Sequence, residues 1–362
     1  MLRPALRATP GRRRLRLPGL GLLAVLLPAA LAAQEVEVNI VAAGPAETDT
    51  AIGRDIVAAA GTCGLTLEVQ PTAGALENAA AIRDRRRTQL GFMQDDVLEY
   101  LQTFGPEDPA LRRIADGLRV VFPLYVSEIH LLARRDIAGL ADLSGQRVSV
   151  GLAESGTFIT AGLVLDLAEV RPAARIDDLG PEAALEALLA GEIDAMFAVT
   201  AAPAELFRDP RLGDGRYHLL ALHEPALAAV YAPATIAAGS YPMVDADVHV
   251  LAVRTLLMAY GFRPPVNSYH RASCTAIADV AHVILSQMDV LTARGHAKWR
   301  AVDLTAIPEG WPISDCAMDG LDPGHVLACP TPDAPAAAGA VPPVPDGPNA
   351  PFLRRVCAVT GC

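Results

Sequence analysis

Short apolar strand patterns alternate with helix patterns through most of this chain, and this alternation constrains the fold more than any other feature. The strand patterns are Val36 to Ala43, Leu65 to Thr72, Leu90 to Met93, Glu128 to Ala133, Arg147 to Gly151 and Asp194 to Val199. Helix patterns follow several of them, at Asp49 to Ala60, Ala75 to Arg86, Asp95 to Leu101 and Pro181 to Ala190. Such alternation is typical of βαβ units with a mostly parallel sheet. The sequence therefore predicts an α/β fold.

Two longer apolar patterns lie nearer the C-terminus. Val248 to Tyr260 and Ser273 to Thr292 both repeat with a period near 3.6 residues, so both are predicted to be helices. After them, Asp319 to Pro351 consists largely of Pro, Ala, Gly and Asp. This composition lacks enough apolar surface to form a core, so we expect residues 319–362 to form a tail.

Residues 1–33 are predicted to be an export signal. Six arginines precede a short apolar segment at Leu17 to Pro28, and Ala30-Leu-Ala32 fits the cleavage rule. We therefore expect a periplasmic protein, with the secretory or the twin-arginine route left open. The formal net charge is −11 although residues 1–33 contain six arginines and no acid. An acidic mature chain argues against nucleic acid and anionic membrane surfaces as partners.

The chain contains six cysteines, an even number that favours disulfide bonds in an oxidising compartment. We expect Cys316 to pair with Cys329, Cys357 with Cys362, and Cys63 with Cys274. Two buried free thiols are the alternative for the last pair. No Cys-x-x-Cys motif or His spacing typical of metal ligands occurs, so we expect no metal and no cofactor.

Polar and small residues follow two of the predicted strands in the first part of the chain. Thr72 and Gly74 precede a helix with Asn78 in its first turn, and Gln94 and Asp95 end the next strand. Open α/β sheets bind ligands outside the carboxyl ends of their strands. Gln94 both donates and accepts hydrogen bonds, which suits a carboxylate or amide, and Asp95 would hold an amino group. The alternative for these residues is ordinary helix capping.

A third polar loop opens a helix at Ser155, Gly156 and Thr157. The first amides of a helix lack partners inside it, and with the helix dipole they attract an anionic group. Ser155 lacks the flanking glycines of a nucleophile elbow, so we predict no catalytic residue and keep a Ser155-dependent hydrolase only as an alternative. Thr200, at the end of a later strand, and Tyr241, with an apolar ring and a hydroxyl, are further candidates for the pocket wall.

Taken in order, five stretches resemble the TAXI family of solute-binding proteins, which serve tripartite ATP-independent periplasmic (TRAP) transporters. They are Thr72-Ala-Gly-Ala-Leu-Glu-Asn78, Gly91-Phe-Met-Gln-Asp-Asp-Val97, Leu140 to Gly151 with Glu154-Ser-Gly-Thr157, Gly191 to Phe197 with Ala201-Ala-Pro203, and Ile236 to Asp245. The resemblance covers about residues 36–295. It implies a type II-like, two-lobed periplasmic-binding-protein fold with two hinge crossovers, near residues 125–130 and 232–238.

The resemblance also implies how the lobes and the ligand are arranged. Residues 34–127 and 235–318 would form lobe I, and residues 128–234 lobe II. The ligand would be a small organic acid, either a glutamate-like amino acid or a dicarboxylate, passed on to TRAP membrane subunits by a monomeric, non-enzymatic protein. Its binding residues would be Thr72, Gly74, Asn78, Gln94, Ser155, Gly156, Thr157 and Thr200. A receptor that signals to another protein is the alternative.

One loop departs from the pattern of that family. The family usually has glycines after its first strand, where this chain has Ala42 to Thr50 with Pro45, Glu47 and Asp49. Proline removes a backbone donor, and the two acids add negative charge. We therefore expect this loop to disfavour close approach of an anion.

Overall fold

The computed structural model of the chain describes residues 38–45, 47–104, 107–327, 329, 344 and 347–362. The predicted export signal and residues 328, 330–343, 345 and 346 of the predicted tail lie outside the described residues. The strands are β1 Val38–Ala42, β2 Leu67–Pro71, β3 Thr88–Gln94, β4 Leu118–Arg134, β5 Arg147–Ser149, β6 Ala174–Ile176, β7 Ala195–Thr200, β8 Tyr217–Leu219, β9 Ala232–Ile236 and β10 Val248–Tyr260. The helices are α1 Thr48–Thr62, α2 Ala75–Asp84, α3 Asp96–Phe104, α4 Pro109–Gly117, α5 Gly156–Leu167, α6 Pro181–Ala190, α7 Ser268–Ser286, α8 Met288–Arg294, α9 Asp315–Gly320 and α10 Ala350–Thr360.

All ten strands belong to one sheet, and its order divides it into two halves. The order is β2-β1-β3-β10-β4-β7-β5-β6, with β8 beside β4 and β9 beside β10. In the first half, β1 pairs in parallel with both β2 and β3, and all five of its residues are buried. In the second half, β5 pairs in parallel with β6 and β7. The α/β fold predicted from the alternating patterns is therefore confirmed.

Two long antiparallel strands, β4 and β10, join the halves. The second part of β10 pairs with β3 and its first part with β9, while β4 pairs with β10 along its first part and with β7 along its last. Their pairing shifts register between Arg254 and Leu256, opposite Pro123 to Val126. Residues 232–238, where the sequence predicted the second crossover, include β9 and lie against the first part of β10. The lobe boundaries themselves stay a prediction.

The helix predicted at Val248 to Tyr260 is wrong, because these residues form strand β10. Most of its residues are buried, on both faces of the sheet, so the strand lacks the alternation of a half-exposed strand. A continuous apolar run of this kind cannot be distinguished from a buried helix by periodicity alone. Strand β4 is likewise longer than the predicted Glu128 to Ala133, since it begins at Leu118.

Asp194 fixes the end of the second half that is remote from the predicted ligand loops. Its carboxylate accepts hydrogen bonds from the backbone amide and side chain of Arg147, and from Nη1 of Arg134 at 2.6 Å. These donors, Arg147 first, lower the pKa of Asp194 to about 2. The carboxylate thereby connects β4, β5 and the start of β7 at the end of the sheet opposite the polar loops.

Buried apolar side chains form separate cores in the two halves. Ile40, Phe92 and Ile277 belong to the largest cluster of the first half, and Ile129 and Phe197 to a cluster of the second. A further cluster of the first half also includes Ile159 and Leu163 of α5, a helix of the second half. The two halves are thus in apolar contact through α5.

Helices α7 to α10 form a layer that packs on the first half. Together α7 and α8 correspond to the helix predicted at Ser273 to Thr292, with a break at Gln287. Within the described ranges no single helix has the length and hydropathy of a membrane span. Helices α7 and α8 meet that test only as a pair, bent by 63°.

The structure corrects two of the three expected disulfides. The bonds are Cys63–Cys329, Cys274–Cys316 and Cys357–Cys362, so only the last was predicted correctly. The cause is the packing of α7 beside α9, which places Cys274 4.9 Å from Cys316 between Cα atoms. Cys63, at the end of α1, is then free to bind Cys329 of the C-terminal extension.

The predicted tail is also partly wrong, because its last residues form α10. Phe352 and Val356 lie on one side of this helix and are almost completely buried in the core of the first half. The ring of Phe352 lies 5.8 Å from that of Phe122 between centroids. The short apolar stripe of this helix could not be recognised because it follows a long Pro-rich segment. The Cys357–Cys362 disulfide links the last turn of the helix to the residues after it.

We predict that peptide mapping of the oxidised protein will recover Cys63 linked to Cys329 and Cys274 linked to Cys316. Replacing Cys274 and Cys316 together by Ser should lower the free energy of unfolding by about 2–4 kcal/mol, because the bond restricts the unfolded chain. Recovery of a peptide linking Cys316 to Cys329 would contradict this arrangement. The double Ser variant of Cys357 and Cys362 is the control and should lose less, since its loop is short.

Candidate functional site

Two predicted loops from opposite halves of the sheet meet at one place. The amide of Leu76, at the start of α2, donates to the carbonyl of Glu154, in the loop before α5, at 3.1 Å. Gly74 lies so close that a Cβ atom there would be 2.8 Å from Cα of Ser155. Gly74 has a φ of 137°, a conformation that only glycine adopts easily. The contact therefore requires glycine at position 74 for both space and backbone geometry.

Thr72 and Asn78 lie behind this contact and bind to their own half. The hydroxyl of Thr72 is 2.6 Å from Oδ1 of Asn78 and 2.9 Å from the carbonyl of Ala42. Nδ2 of Asn78 donates to the carbonyl of Phe92 at 2.7 Å, and the side chain is fully buried. These bonds join the start of α2 to β1 and β3. Both side chains therefore position the loop.

Gln94, the last residue of β3, faces the start of α5. A Cβ atom on Gly156 would lie 2.2 Å from both Nε2 and Oε1 of Gln94, so the amide group touches the first residue of the helix. Gln94 is only 8% exposed, and its Oε1 has no hydrogen-bond partner. A buried acceptor without a partner costs about 1–3 kcal/mol. This oxygen is free to accept a hydrogen bond from a donor group of a ligand, while Nε2 of the same amide is a donor for an anionic group.

The start of α5 is held in place by two hydroxyl groups. Oγ of Ser155 accepts from the amide of Phe158 at 3.1 Å and so caps the helix. Oγ1 of Thr157 accepts from the amide of Val199 at 3.1 Å, which ties the helix start to β7. The first amides of the helix, those of Gly156 and Thr157, have no acceptor within it. The nitrogen of Gly156 lies close to the first half, since a Cβ atom on Gly74 would be 3.3 Å from it.

Asp95 and Asp96 follow Gln94 and differ in their surroundings. Oδ1 of Asp95 accepts from the amide of Arg254 on β10 at 3.1 Å. Oδ2 of Asp96 accepts from Thr160 at 2.7 Å and Tyr231 at 3.1 Å, two residues of the second half. Burial is the largest cause of a raised pKa in both, to about 6 for Asp95 and about 7 for Asp96. The carboxyl group of Asp96 therefore bridges the two halves, through contacts that no local sequence pattern indicates.

Of the remaining candidates, Thr200 is near the other loops and Tyr241 is not. Thr200 ends β7 and pairs with Glu128 on β4, where the sheet passes between the halves. Tyr241 packs in the core of the second half against His130 and Phe207. Its hydroxyl lies 2.8 Å from Nε2 of His130 and accepts from the amide of Ala204 at 2.8 Å. The hydroxyl of Tyr241 is thus already hydrogen-bonded within the second half, to His130 and to Ala204.

The loop that departs from the family pattern contributes two buried acids. The hydroxyl of Tyr125, on β4, donates to Oδ1 of Asp49 at the start of α1. Burial raises the pKa of Asp49 to about 6 and that of Glu47 to about 7. Asp49 and Glu182, in the first turn of α6, raise the pKa of Glu47 further. Glu182, from the second half, is thus close enough to Glu47 of the first half to act on it electrostatically.

The contacts of Ser155 do not include the partners of a hydrolytic triad. Its Oγ is engaged with the amide of Phe158, and His130 contacts Tyr241 and the carbonyl of Glu128. Among the hydrogen bonds of the described residues, none joins Ser155 to a histidine or an acid. Among the residues that the structure describes, no group of three His, Cys, Asp or Glu residues is placed to hold a metal ion.

Two surface grooves lie on the second half, outside this site. One, of about 350 Å³, runs between α6 and residues 205–210, and the other, of about 460 Å³, lies beside Arg134, Gly191 and Tyr217. Neither is lined by a predicted ligand residue. The convergence of the loops at Gln94 and Gly156 is the better indication of a site, because it brings together helix starts and unpaired polar atoms.

Comparison with known proteins gives a family match and several structural likenesses. The model of the family described as NMT1-like matches residues 40–267. The glutamate-bound ligand-binding core of GluR0 from Nostoc punctiforme is 16% identical, with a TM-score of 0.40 over 69% of this chain and 97% of that one. A TctC solute-binding protein from Polaromonas is 17% identical, with a TM-score of 0.38 over 73% and 96%. Malate-bound MatC from Rhodopseudomonas palustris is 19% identical, with a TM-score of 0.43 over 71% and 87%.

The surroundings of Asp96 predict how stability changes with pH. Because its pKa is raised to about 7, the folded chain keeps a proton that the unfolded chain loses near pH 4. The stability gained from this proton is complete below about pH 4 and is lost as the pH rises through 7. Asp96→Asn stays neutral and keeps an acceptor for Thr160 and Tyr231. The resulting increase in the free energy of unfolding should be larger at pH 8 than at pH 5 by about 2–3 kcal/mol, because the unaltered carboxyl group loses this stability over that pH range.

Chemical denaturation at pH 5 and pH 8 measures this difference. Asp116→Asn, at an exposed position of α4, is the control and should give no pH-dependent change. Equal effects of Asp96→Asn at the two pH values would contradict the buried, neutral state assigned to this carboxyl group.

Proposed function

Since this chain belongs to the NMT1-like family, we propose that it is a periplasmic solute-binding protein that captures a small organic acid between the halves of its sheet. The observation that carries the proposal is the contact between Gln94 and the start of α5, where an unpaired buried oxygen meets a helix N-terminus. A protein that binds its solute without changing it needs donors and shape at this place, and no nucleophile. Ser155 accordingly acts as a cap and a wall of the site.

The start of α5 supplies the groups that would hold a carboxylate. The amides of Gly156 and Thr157 and the positive end of the helix dipole favour a negative charge there. Nε2 of Gln94 adds a donor from the opposite half. A carboxylate in this position would therefore contact both halves at once, and its binding energy would favour the state in which they are close together.

The two crossover strands provide the means for the halves to separate and close. β4 and β10 are the strands that run through both halves, and their pairing is irregular between Arg254 and Leu256. On the ligand side, the bond from Leu76 to Glu154 and the bonds of Asp96 hold the halves together. Breaking these bonds and the apolar contact of Ile159 and Leu163 with the first half, while bending the irregular segment, would open the site by a hinge motion.

We further propose delivery of the ligand to TRAP membrane subunits, as the ordered TAXI-like stretches suggest. In this assignment the protein is a monomer, and residues 34–127 and 235–318 form the lobe that carries Gln94. Closure would present a surface that spans both lobes, which differs from that of the open form. Uptake of radiolabelled ligand into vesicles containing the membrane subunits, with and without this protein, tests the delivery step.

Gly156→Ala tests the site itself. A methyl group at this position would overlap the side chain of Gln94 and keep the start of α5 away from the other half. We expect at least a tenfold weaker affinity for the best ligand from a panel of amino acids, monocarboxylates and dicarboxylates, measured by isothermal titration calorimetry. Gly162→Ala, the same change on the same helix with no atom within 4 Å, is the matched control and should leave affinity unchanged.

The proposal predicts that at least one member of the panel binds to the unaltered protein. If no organic acid binds, or if Gly156→Ala binds as tightly as Gly162→Ala, the assignment of a ligand site at the start of α5 is wrong.

A further inference from the structure

Lys298, the only lysine in the sequence, forms an ion pair at the boundary between the two halves. Resting on the proposed function, we propose that Lys298 is a positioning residue for the ligand site. Through Glu128 it holds the end of β7, and with it the start of α5, against the first half. This role requires no contact between Lys298 and the ligand.

The ion pair itself is closely made and largely removed from water. Nζ of Lys298 lies 2.8 Å from Oε1 and 3.0 Å from Oε2 of Glu128. The two side chains are 13% and 12% exposed, respectively. Removal of either partner would leave the other charge uncompensated in a poorly hydrated place. The contact is therefore sensitive to a change at either position.

The segment that carries Lys298 is fixed to the first half. Oδ2 of Asp55, on α1, accepts from the backbone amide of His296 at 2.7 Å and from Nε1 of Trp299 at 2.9 Å. Trp299 is only 1% exposed and belongs to the largest core cluster of the first half. Because these two residues lie on either side of Lys298 in the sequence, its backbone is held to the first half.

Glu128 carries this connection into the second half. It pairs with Thr200 in the ladder between β4 and β7. Its Oε2 also accepts from the amide of Ala202, two residues beyond the end of β7, at 2.6 Å. Ala201 between them is buried in the core cluster of the first half. The end of β7 is thus held to the first half by a charged contact and by apolar packing.

The end of β7 in turn holds the start of α5. The amide of Val199 donates to Oγ1 of Thr157 at 3.1 Å. Thr157 supplies one of the amides proposed to bind the ligand carboxylate, and Thr200 is a candidate for the pocket wall. A displacement of this strand end would therefore move the groups that bind the ligand. The hydrogen bonds thus lead from Lys298 to the site through Glu128 and the end of β7.

The ion pair joins the halves on the face of the sheet opposite α5. Ile129 packs in the cluster that contains residues of α5, and successive side chains of a strand alternate between faces. Glu128, directly before it, therefore points to the other face, whereas Asp96 joins the halves on the face of α5. Loss of the Lys298 contact should free one face of the boundary and lower the fraction of molecules in which both halves contact the ligand.

Calorimetric titration with the tightest-binding organic acid of the panel tests the positioning role. Lys298→Met keeps a long apolar side chain without the charge, and Glu128→Gln keeps an acceptor for Ala202. Each should weaken the affinity about fivefold or more, because fewer molecules hold both halves in place. Asp279→Asn is the matched control, since Asp279 contacts His325 at 2.9 Å in the helical layer of the first half, with both side chains 19% exposed. This change should leave the affinity unchanged.

Acylation of Lys298 gives a second readout that needs no variant. N-succinimidyl acetate modifies free amines, and Lys298 carries the only side-chain amine in the sequence. Saturating ligand should slow its acylation about threefold or more, because binding favours the state in which the amine stays paired with Glu128. Mass spectrometry of the peptide that contains Lys298 measures the rate.

The outcomes separate this inference from the proposed function. If Lys298→Met and Glu128→Gln both bind the acid as tightly as the unaltered protein, or if the ligand does not slow acylation, the positioning role is wrong while the organic-acid function stands. If no organic acid binds to the unaltered protein, the proposed function fails and the positioning role with it.

Discussion

The antiparallel pairing of β4 with β10 is the constraint on which the rest of the structure depends. These two strands lie at the centre of the sheet. The parallel strands of the first half continue from the free edge of β10, and those of the second half from the free edge of β4. Because the pairing fixes the two halves against each other, it also fixes where their polar loops meet. The register irregularity at Arg254 to Leu256 lies at the same level as Tyr125. The part of β4 and β10 that would bend as the halves open is therefore next to the proposed ligand site.

Burial and charge are opposed at three carboxyl groups near the boundary between the halves. Asp49, Asp95 and Asp96 are carboxyl groups whose pKa values are raised mainly by burial. An ionised group in such surroundings favours any rearrangement that returns it to water or supplies a counter-charge. Asp96 relies on Thr160 and Tyr231 for this purpose, and Asp49 on Tyr125.

Much of the fold could be predicted from the sequence because its signals are local. Strand β1 and helix α2 follow from short periodic patterns, and the loop at Ser155 from small polar residues before an apolar helix. Strand β10 could not be predicted, because burial on both faces removes the alternation that identifies a strand. The Cys63–Cys329 bond depends on where the C-terminal extension packs, which no local pattern records. In the site, the role of Asp96 depends on Thr160 and Tyr231, which are far away in the sequence, and the placement of Tyr241 depends on His130.

Binding of a small ligand between the halves at the start of α5 is tested most directly by a crystal structure of the mature protein with its tightest-binding organic acid. We expect a ligand carboxylate about 3 Å from the amides of Gly156 and Thr157, in contact with Gln94, and enclosed by both halves. A ligand found in a groove of one half, with the start of α5 and Gln94 unoccupied, would contradict it.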